Sequence, residues 1–195
     1  MKKNPENVNK FALIGAQSVG KTTMLNILRD RLASSLPNVV FIDEGARLFF
    51  DSNPQITSRS ADVQEQIQNF VLEREKLLCE PDTKLIISDR SVIDPVVLTK
   101  IWDTEENATK LHSNVADWLI TYTLFFLLSP EGVPSVAEPN RKETDEERIA
   151  IHDTFISYCT SNNLPYVEII GSLDERTKQI EEIILQSIKD AAILS

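Results

Sequence analysis

The segment Gly15 to Thr22 constrains the fold of this chain more than any other feature of its sequence. It reads Gly-Ala-Gln-Ser-Val-Gly-Lys-Thr, with an apolar run at 11–14 before it and a helical pattern from about 21 to 34 after it. A glycine-rich loop between a strand and a helix wraps an anion with its backbone N–H groups, and the positive end of the helix faces the same anion. The segment therefore predicts a strand, a phosphate-binding loop and a helix, in that order.

Each position of this loop has an expected contact with a bound triphosphate. Two glycines allow the tight turn. The Lys21 ammonium would reach the β and γ phosphates, and the Thr22 hydroxyl would hold Mg²⁺. The expected nucleotide-binding residues are Gly15, Ala16, Gln17, Ser18, Val19, Gly20, Lys21, Thr22 and Thr23.

Short apolar runs alternate with amphipathic stretches along the rest of the chain. This alternation is typical of a parallel sheet with helices on both faces. The predicted strands are 11–14, 39–43, 84–88, 121–128 and 166–170, and the predicted helices are 21–34, 61–79, 91–102, 106–119, 144–162 and 173–192. At 195 residues, we expect one three-layer α/β domain over 1–195, with a five-stranded parallel sheet.

The charge balance excludes some partners. The formal net charge is −10 at pH 7. An acidic surface repels phosphate backbones and anionic lipids, so we expect neither long nucleic acid nor a membrane as partner. Cys79 and Cys159 lack metal-ligand spacing, which is typical of reduced thiols. Residues 1–10 contain no apolar signal segment, so we expect a cytoplasmic protein.

The most apolar stretch of the sequence covers residues 118–128. It is shorter than the roughly 20 residues that cross a bilayer, so we interpret it as a buried strand. His112 and His152 stand alone in the sequence. We expect both at the surface or in helix packing.

Two carboxylates and an arginine follow the second predicted strand. In open parallel sheets, ligands bind beyond the carboxyl ends of the strands. Glu44 could orient a hydroxyl and take its proton, and Arg47 could bind either the acceptor or a phosphate. Alternatively, Asp43 and Glu44 only favour the start of the next helix.

The third predicted strand ends at Asp89-Arg90-Ser91. An acid after an apolar strand binds Mg²⁺ directly or through water, so Asp89 is the expected metal carboxylate. Arg90 could stabilise phosphoryl charge or hold the substrate. It could also form an ion pair with Glu44, and these two roles are compatible.

Residues from about 130 to 148 are expected to form a mobile cover, or lid. Proline and glycine shape its first part, and Thr144 with Glu147 forms a capping box for the helix that follows. Arg141 and Arg148 could contact the phosphates when the cover closes. Alternatively, Arg148 is a solvated ion-pair partner within its own helix.

The acceptor is expected beside residues 51–60 and the helix that follows them. Its glutamines Gln64, Gln66 and Gln68 could read the edge of a base. An aromatic ring could stack on that base, from Phe49, Phe50 or Trp102. Aromatic residues in such positions are alternatively part of the core.

These segments together resemble the kinase domain of NadR-type proteins, which phosphorylate ribosylnicotinamide. The resemblance rests on residues 15–22, 43–47 and 89–91 and on the arginine-bearing cover. Relatives of that domain form an AAA-like ATPase/kinase group within the nucleoside and nucleotide kinase fold. The Asp-Arg-Ser segment and the glutamine-bearing helix are also similar to deoxynucleoside kinases. This second resemblance implies that Glu44 is the base and that Arg90 contacts an anion.

We therefore expect a kinase that transfers the γ-phosphoryl group of ATP, with Mg²⁺, to a hydroxyl of a nucleoside-like acceptor such as ribosylnicotinamide or a deoxynucleoside. The alternatives are a nucleotide kinase with a phosphate acceptor and a regulatory ATPase without a small acceptor. A GTPase is disfavoured because no Asn/Thr-Lys-x-Asp segment is present. The sequence is compatible with a homodimer.

Overall fold

The computed structural model of the protein describes residues 8–79, 82–133 and 143–193, with side chains through residue 190. Within these ranges the chain alternates between strands and helices. The strands are β1 (Asn9–Ile14), β2 (Val39–Ile42), β3 (Leu85–Asp89), β4 (Leu124–Leu128) and β5 (Tyr166–Ile169). The helices are α1 (Lys21–Leu32), α2 (Gly45–Ser52), α3 (Ala61–Leu78), α4 (Asp94–Trp102), α5 (Glu105–Leu119), α6 (Asp145–Ser161) and α7 (Leu173–Ile193).

The five strands form one parallel sheet in the order β2-β3-β1-β4-β5. The central strand β1 pairs with β3, where Leu13 lies opposite Asp89, and with β4, where Ile14 lies opposite Leu127. Helices cover both faces of the sheet, and the expected three-layer α/β fold is confirmed. Because every strand runs the same way, the segments that follow the strands meet at one edge.

The core is built from the near-continuous apolar strands that a doubly covered parallel sheet requires. In β1 and β4, Phe11 and Phe126 stack with ring centroids 5.5 Å apart. Helix α1 packs against α7, while α4 packs against α3, α5 and α6. None of the helices in the described ranges is long and apolar enough to span a bilayer.

Two predictions about elements were wrong. The stretch 118–128 is not one strand, because Trp118 and Leu119 end α5 and β4 begins only at Leu124. Helix α2 was not predicted. It has two turns, too few for its periodicity to stand out, and it is held by Phe49 packing edge-to-face on Phe70.

Both histidines of helices α5 and α6 have partners that the sequence did not make evident. His112 Nδ1 lies 2.7 Å from the hydroxyl of Tyr158, and His152 Nε2 lies 2.9 Å from a carboxylate oxygen of Glu168. These partners are distant in sequence, so sequence spacing did not reveal them.

A buried charged cluster lies where the strands begin, at the edge of the sheet opposite the phosphate loop. Lys10 forms an ion pair with Glu75, and both are almost fully buried. The Glu75 carboxylate also accepts hydrogen bonds from Trp118 Nε1 at 2.7 Å and from the Tyr122 hydroxyl at 2.6 Å. Burial lowers the pKa of Lys10, although Glu75 opposes this effect. Each polar group of the pair therefore has compensating partners.

Candidate active site

The phosphate loop joins β1 to α1 through left-handed backbone conformations. Gly15, Ser18 and Gly20 have φ values of 130°, 58° and 93°. A Cβ atom on Gly15 would lie 2.8 Å from the carbonyl oxygen of Leu128, so the loop passes directly against the end of β4. Glycine is therefore needed at position 15 for both conformation and space.

Lys21 lies inside this loop. Its ammonium donates hydrogen bonds to the carbonyl oxygens of Gly15 at 3.0 Å and Ala16 at 2.5 Å. Burial lowers the pKa of Lys21 to about 8, and the Arg90 charge acts in the same direction while Asp89 opposes it. A cation held in a buried loop in this way attracts an anionic ligand.

Thr22 and Asp89 form a pair between α1 and the end of β3. The Thr22 hydroxyl donates to Asp89 Oδ2 at 2.5 Å, while Asp89 Oδ1 is buried with no hydrogen-bond partner among the residues that the structure describes. Burial raises the pKa of Asp89, although Lys21 opposes this. Mg²⁺ prefers hydroxyl and carboxylate oxygens, so this pair, with one carboxylate oxygen unused, fits the ion.

Glu44 and Arg90 form an ion pair at the same edge. Glu44 directly precedes α2, and Arg90 directly follows β3. Arg90 Nε donates to Glu44 Oε1 at 2.7 Å, and Arg47 lies 3.6 Å from Glu44 Oε2. Burial alone would raise the pKa of Glu44, but the charge and hydrogen bond of Arg90 outweigh burial and hold it below its ordinary value. Glu44 is therefore an anion at neutral pH.

Asp94 completes this cluster and was not predicted from the sequence. Its Oδ1 accepts a hydrogen bond from Arg90 Nη1 at 3.1 Å, and its Oδ2 accepts from the backbone N–H and hydroxyl of Ser91 at 2.8 and 3.1 Å. An acid at the start of a helix, followed by Pro95, resembles an ordinary helix start. The sequence therefore gave no indication that Asp94 contacts Arg90.

The described end of the expected cover contacts the phosphate loop. The backbone N–H of Gln17 donates to Glu143 Oε2 at 3.2 Å, and within the described ranges the other Glu143 oxygen is buried without a hydrogen-bond partner. The buried Arg148 donates to the carbonyl oxygen of Val133 at 3.0 Å and lies 3.5 Å from that of Ser18. Arg148 is thus buried against the loop, and it also forms an ion pair with Asp145 of its own helix at 2.9 Å, so the alternative interpretation is correct about the ion pair but not about solvation.

The predicted capping box of α6 is present. The Thr144 hydroxyl accepts from the backbone N–H of Glu147, and the Glu147 carboxylate accepts from that of Thr144. The predicted phosphate contact Arg141 lies outside the described residues.

Two of the predicted acceptor glutamines differ in their surroundings. Gln68 is fully buried, and its amide nitrogen donates to the carbonyl oxygens of Val92 at 3.0 Å and Leu111 at 3.1 Å. Its amide nitrogen therefore joins α3 to the core, while its Oε1 is buried with no hydrogen-bond partner among the described residues. Gln64, one turn earlier, is also largely buried, but its side chain forms no hydrogen bond with any residue that the structure describes.

The aromatic residues predicted to stack on a base also differ in where they lie. Phe49 is a core residue, as the alternative interpretation had it. Trp102 lies at the surface, where its ring packs under the Arg59 guanidinium at 4.8 Å. Neither ring is free on both faces to receive a base.

Comparison with known proteins identifies the family. A family model described as an AAA domain matches residues 10–176, which is most of the chain. The chain belongs to this family. Among curated protein sequences, none matches this AAA-domain chain.

Solved structures of other proteins share the fold of this AAA-domain chain. The NadR protein in complex with NR matches with a TM-score of 0.70 and 16% identity over 92% of the chain, and the chain spans 52% of NadR. Thymidylate kinase from Candida albicans matches with a TM-score of 0.64 and 17% identity, over 93% of this chain and 92% of that one.

The third structure is deoxyadenosine kinase from M. mycoides, with a TM-score of 0.58 and 12% identity over 91% of this chain and 99% of that one. At these identities the likeness shows the fold alone. The resemblance to NadR-type and deoxynucleoside kinases is confirmed at that level, and the chain has the fold of P-loop kinases.

Proposed function

We propose that this protein is an ATP-dependent kinase that transfers the γ-phosphoryl group to a hydroxyl of a nucleoside-like acceptor. The observation that carries the proposal is the ion-paired carboxylate of Glu44 at the same sheet edge as the phosphate loop. A phosphate-binding loop alone would suit any nucleotide-binding protein. An anionic carboxylate beside it suits a reaction in which an acceptor loses a proton.

The nucleotide would be held by residues 15–23. The Lys21 ammonium would leave the carbonyl oxygens of Gly15 and Ala16 and bind the β and γ phosphates. Thr22 and Asp89 would hold Mg²⁺, which supplies charge neutralisation at the phosphates when bound. Arg148, already against the loop, would add positive charge near the same oxygens.

Glu44 would accept the hydrogen bond of the acceptor hydroxyl and take its proton as the new O–P bond forms. A carboxylate with a lowered pKa is a weak base, but it is fully ionised at neutral pH and orients the hydroxyl. Our candidates for contacts with the rest of the acceptor are Arg47, which is about half exposed, and the largely buried amide of Gln64.

The charge of the site supports a hydroxyl acceptor over a phosphate acceptor. Arg90 is neutralised by two carboxylates, Glu44 and Asp94, and is only 12% exposed. It therefore has little charge left for a second phosphate. The similarity to NadR in complex with NR and to a deoxyadenosine kinase supports the same class of acceptor.

A nucleotide kinase is the second candidate, since the fold is equally that of a thymidylate kinase. The half-exposed Arg47 would then bind the acceptor phosphate. The two candidates differ in what they require of Glu44, because a phosphate acceptor needs no base.

The test is an ADP-release assay over a panel of ribosylnicotinamide, deoxynucleosides and nucleoside monophosphates. We expect turnover with one nucleoside, a fall of about 10²–10⁴-fold in kcat for Glu44→Gln, and loss of turnover for Lys21→Met. Asp117→Asn, which removes an exposed charge from α5, is the matched control. ATP hydrolysis that no acceptor stimulates would refute the proposal, and a fully active Glu44→Gln variant would favour the phosphate acceptor.

A further inference from the structure

Asp94 is a buried carboxylate that the proposed reaction does not use. Its side chain is 3% exposed, and it lies at the first position of α4. Burial raises its pKa, although Arg90 and Lys21 oppose this effect. A buried acid has to be compensated by hydrogen bonds or by an ion pair, and Asp94 has both.

The two oxygens of Asp94 have different tasks. Oδ2 accepts from the backbone N–H and the hydroxyl of Ser91, which fixes the turn before α4. A serine or asparagine at this position could do the same. Oδ1 instead accepts from Arg90 Nη1, a contact that the helix start does not need.

Arg90 is thereby held at two points of its planar guanidinium. Nε donates to Glu44 Oε1 at 2.7 Å and Nη1 donates to Asp94 Oδ1 at 3.1 Å. Two hydrogen bonds from different nitrogens fix both the position and the plane of a guanidinium. The Arg90 backbone is fixed as well, since its N–H donates to the carbonyl oxygen of Leu13 at 2.9 Å.

We propose that Asp94 is a positioning residue that fixes the Arg90 guanidinium and, through it, the carboxylate of Glu44. It does not touch the acceptor itself. Without its charge, Glu44 is the nearest remaining carboxylate for a buried Arg90. The guanidinium would turn toward Glu44 and engage both of its oxygens, leaving none directed at an acceptor hydroxyl. The catalytic part of this inference rests on the proposed function.

The first test does not depend on activity. In wild-type protein labelled with ¹⁵N-arginine, we expect a slowly exchanging Nε–Hε signal of Arg90, assigned by its change in Glu44→Gln. In Asp94→Asn this signal should change its chemical shift, because the guanidinium reorients on Glu44 when the Asp94 charge is removed. Asp117→Asn should leave it unchanged. An unaltered signal in Asp94→Asn, or no protected signal in the wild type, would overturn the inference.

The second test separates positioning from folding. Asp94→Ser keeps an acceptor for the Ser91 N–H but cannot reach Arg90. We expect it to lower acceptor kcat by about 10- to 100-fold, as displaced reacting groups do, with the KM for ATP within about twofold. If Asp94 acted only at the helix start, Asp94→Ser would keep its kcat, and the inference would fail.

A double-mutant cycle provides the decisive kinetic result. If Asp94 acts through Glu44, combining Asp94→Ser with Glu44→Gln should be no slower than Glu44→Gln alone. Independent, multiplying losses would overturn the inference. If the wild type phosphorylates no acceptor, the proposed function fails, and the arginine signal still decides whether Asp94 fixes Arg90.

Discussion

The buried pair of Lys10 and Glu75 allows a quantitative prediction about stability. Glu75→Gln removes the charge that compensates Lys10 while keeping the shape of the side chain. Removing one partner of a buried ion pair costs about 3–5 kcal/mol. An independent upper limit on this loss comes from Lys10, because the folded variant can avoid a buried unpaired charge by releasing the Lys10 proton. Releasing a proton near pH 7 from a lysine of ordinary pKa 10.5 costs about 5 kcal/mol, at about 1.4 kcal/mol per pKa unit. The two values agree.

This reasoning also fixes the pH dependence. In Glu75→Gln, Lys10 would be neutral when folded and protonated when unfolded, up to its ordinary pKa. The unfolded state then binds one more proton, so the stability of the variant rises with pH. The difference from the wild type should shrink between pH 7 and pH 9, by at most about 3 kcal/mol if Lys10 of the wild type stays protonated.

Urea unfolding followed by circular dichroism at both pH values measures these differences. Glu73→Gln, which removes an exposed partner of Lys76 from the same helix, is the control and should have a far smaller effect. Pairing Glu75→Gln with Lys10→Met should recover most of the loss. Two results would refute the reasoning. One is a loss in the free energy of unfolding below about 1 kcal/mol for Glu75→Gln, and the other is a difference in that free energy between variant and wild type that does not narrow as the pH rises.

Three further predictions concern the phosphate loop. Glu143→Gln should tighten binding of a non-hydrolysable ATP analogue by up to about tenfold in calorimetry, because it removes an anion from the Gln17 N–H. A bound triphosphate raises the pKa of Lys21 from about 8, so calorimetry near pH 8.5 in two buffers should detect proton uptake on binding. Gly15→Ala should lose about 1–3 kcal/mol of stability in urea unfolding and most of its nucleotide affinity, because its Cβ would contact the Leu128 carbonyl oxygen.

Each of these predictions has a control. Glu146→Gln removes an exposed acid at the start of α6 and should leave affinity unchanged, so an equal gain there would contradict the role of Glu143. Proton uptake that persists in Lys21→Met would have to come from another group. Gly132 also has a positive φ but open space around it, so Gly132→Ala should cost less than Gly15→Ala.

Local patterns predicted most of the fold. Apolar runs and helical periods identified five strands and six of the seven described helices, and the spacing of residues 15–22 and the acid at 89 placed two parts of the site. These features depend on residues that are neighbours in sequence. Where two turns of α2 gave too little periodicity, the prediction failed.

Contacts between distant residues could not be predicted in this way. Lys10 and Glu75 are far apart in sequence, and only the fold brings them together. Gln68 looked like a reader of a base because its type suits that role, yet its two carbonyl partners belong to other segments. The same holds for the contact of Glu143 with the loop.

The charged cluster of Lys10 and Glu75 lies where the strands start, and the residues of the candidate active site lie where they end. The ion pair expected to stabilise the fold and the residues proposed for the reaction therefore lie at separate places in this molecule. An engineer could replace the ion pair with well-packed apolar side chains without touching a group proposed to meet the nucleotide. Substitutions that arise there during evolution would likewise change the melting temperature of the protein without altering the residues of the candidate active site.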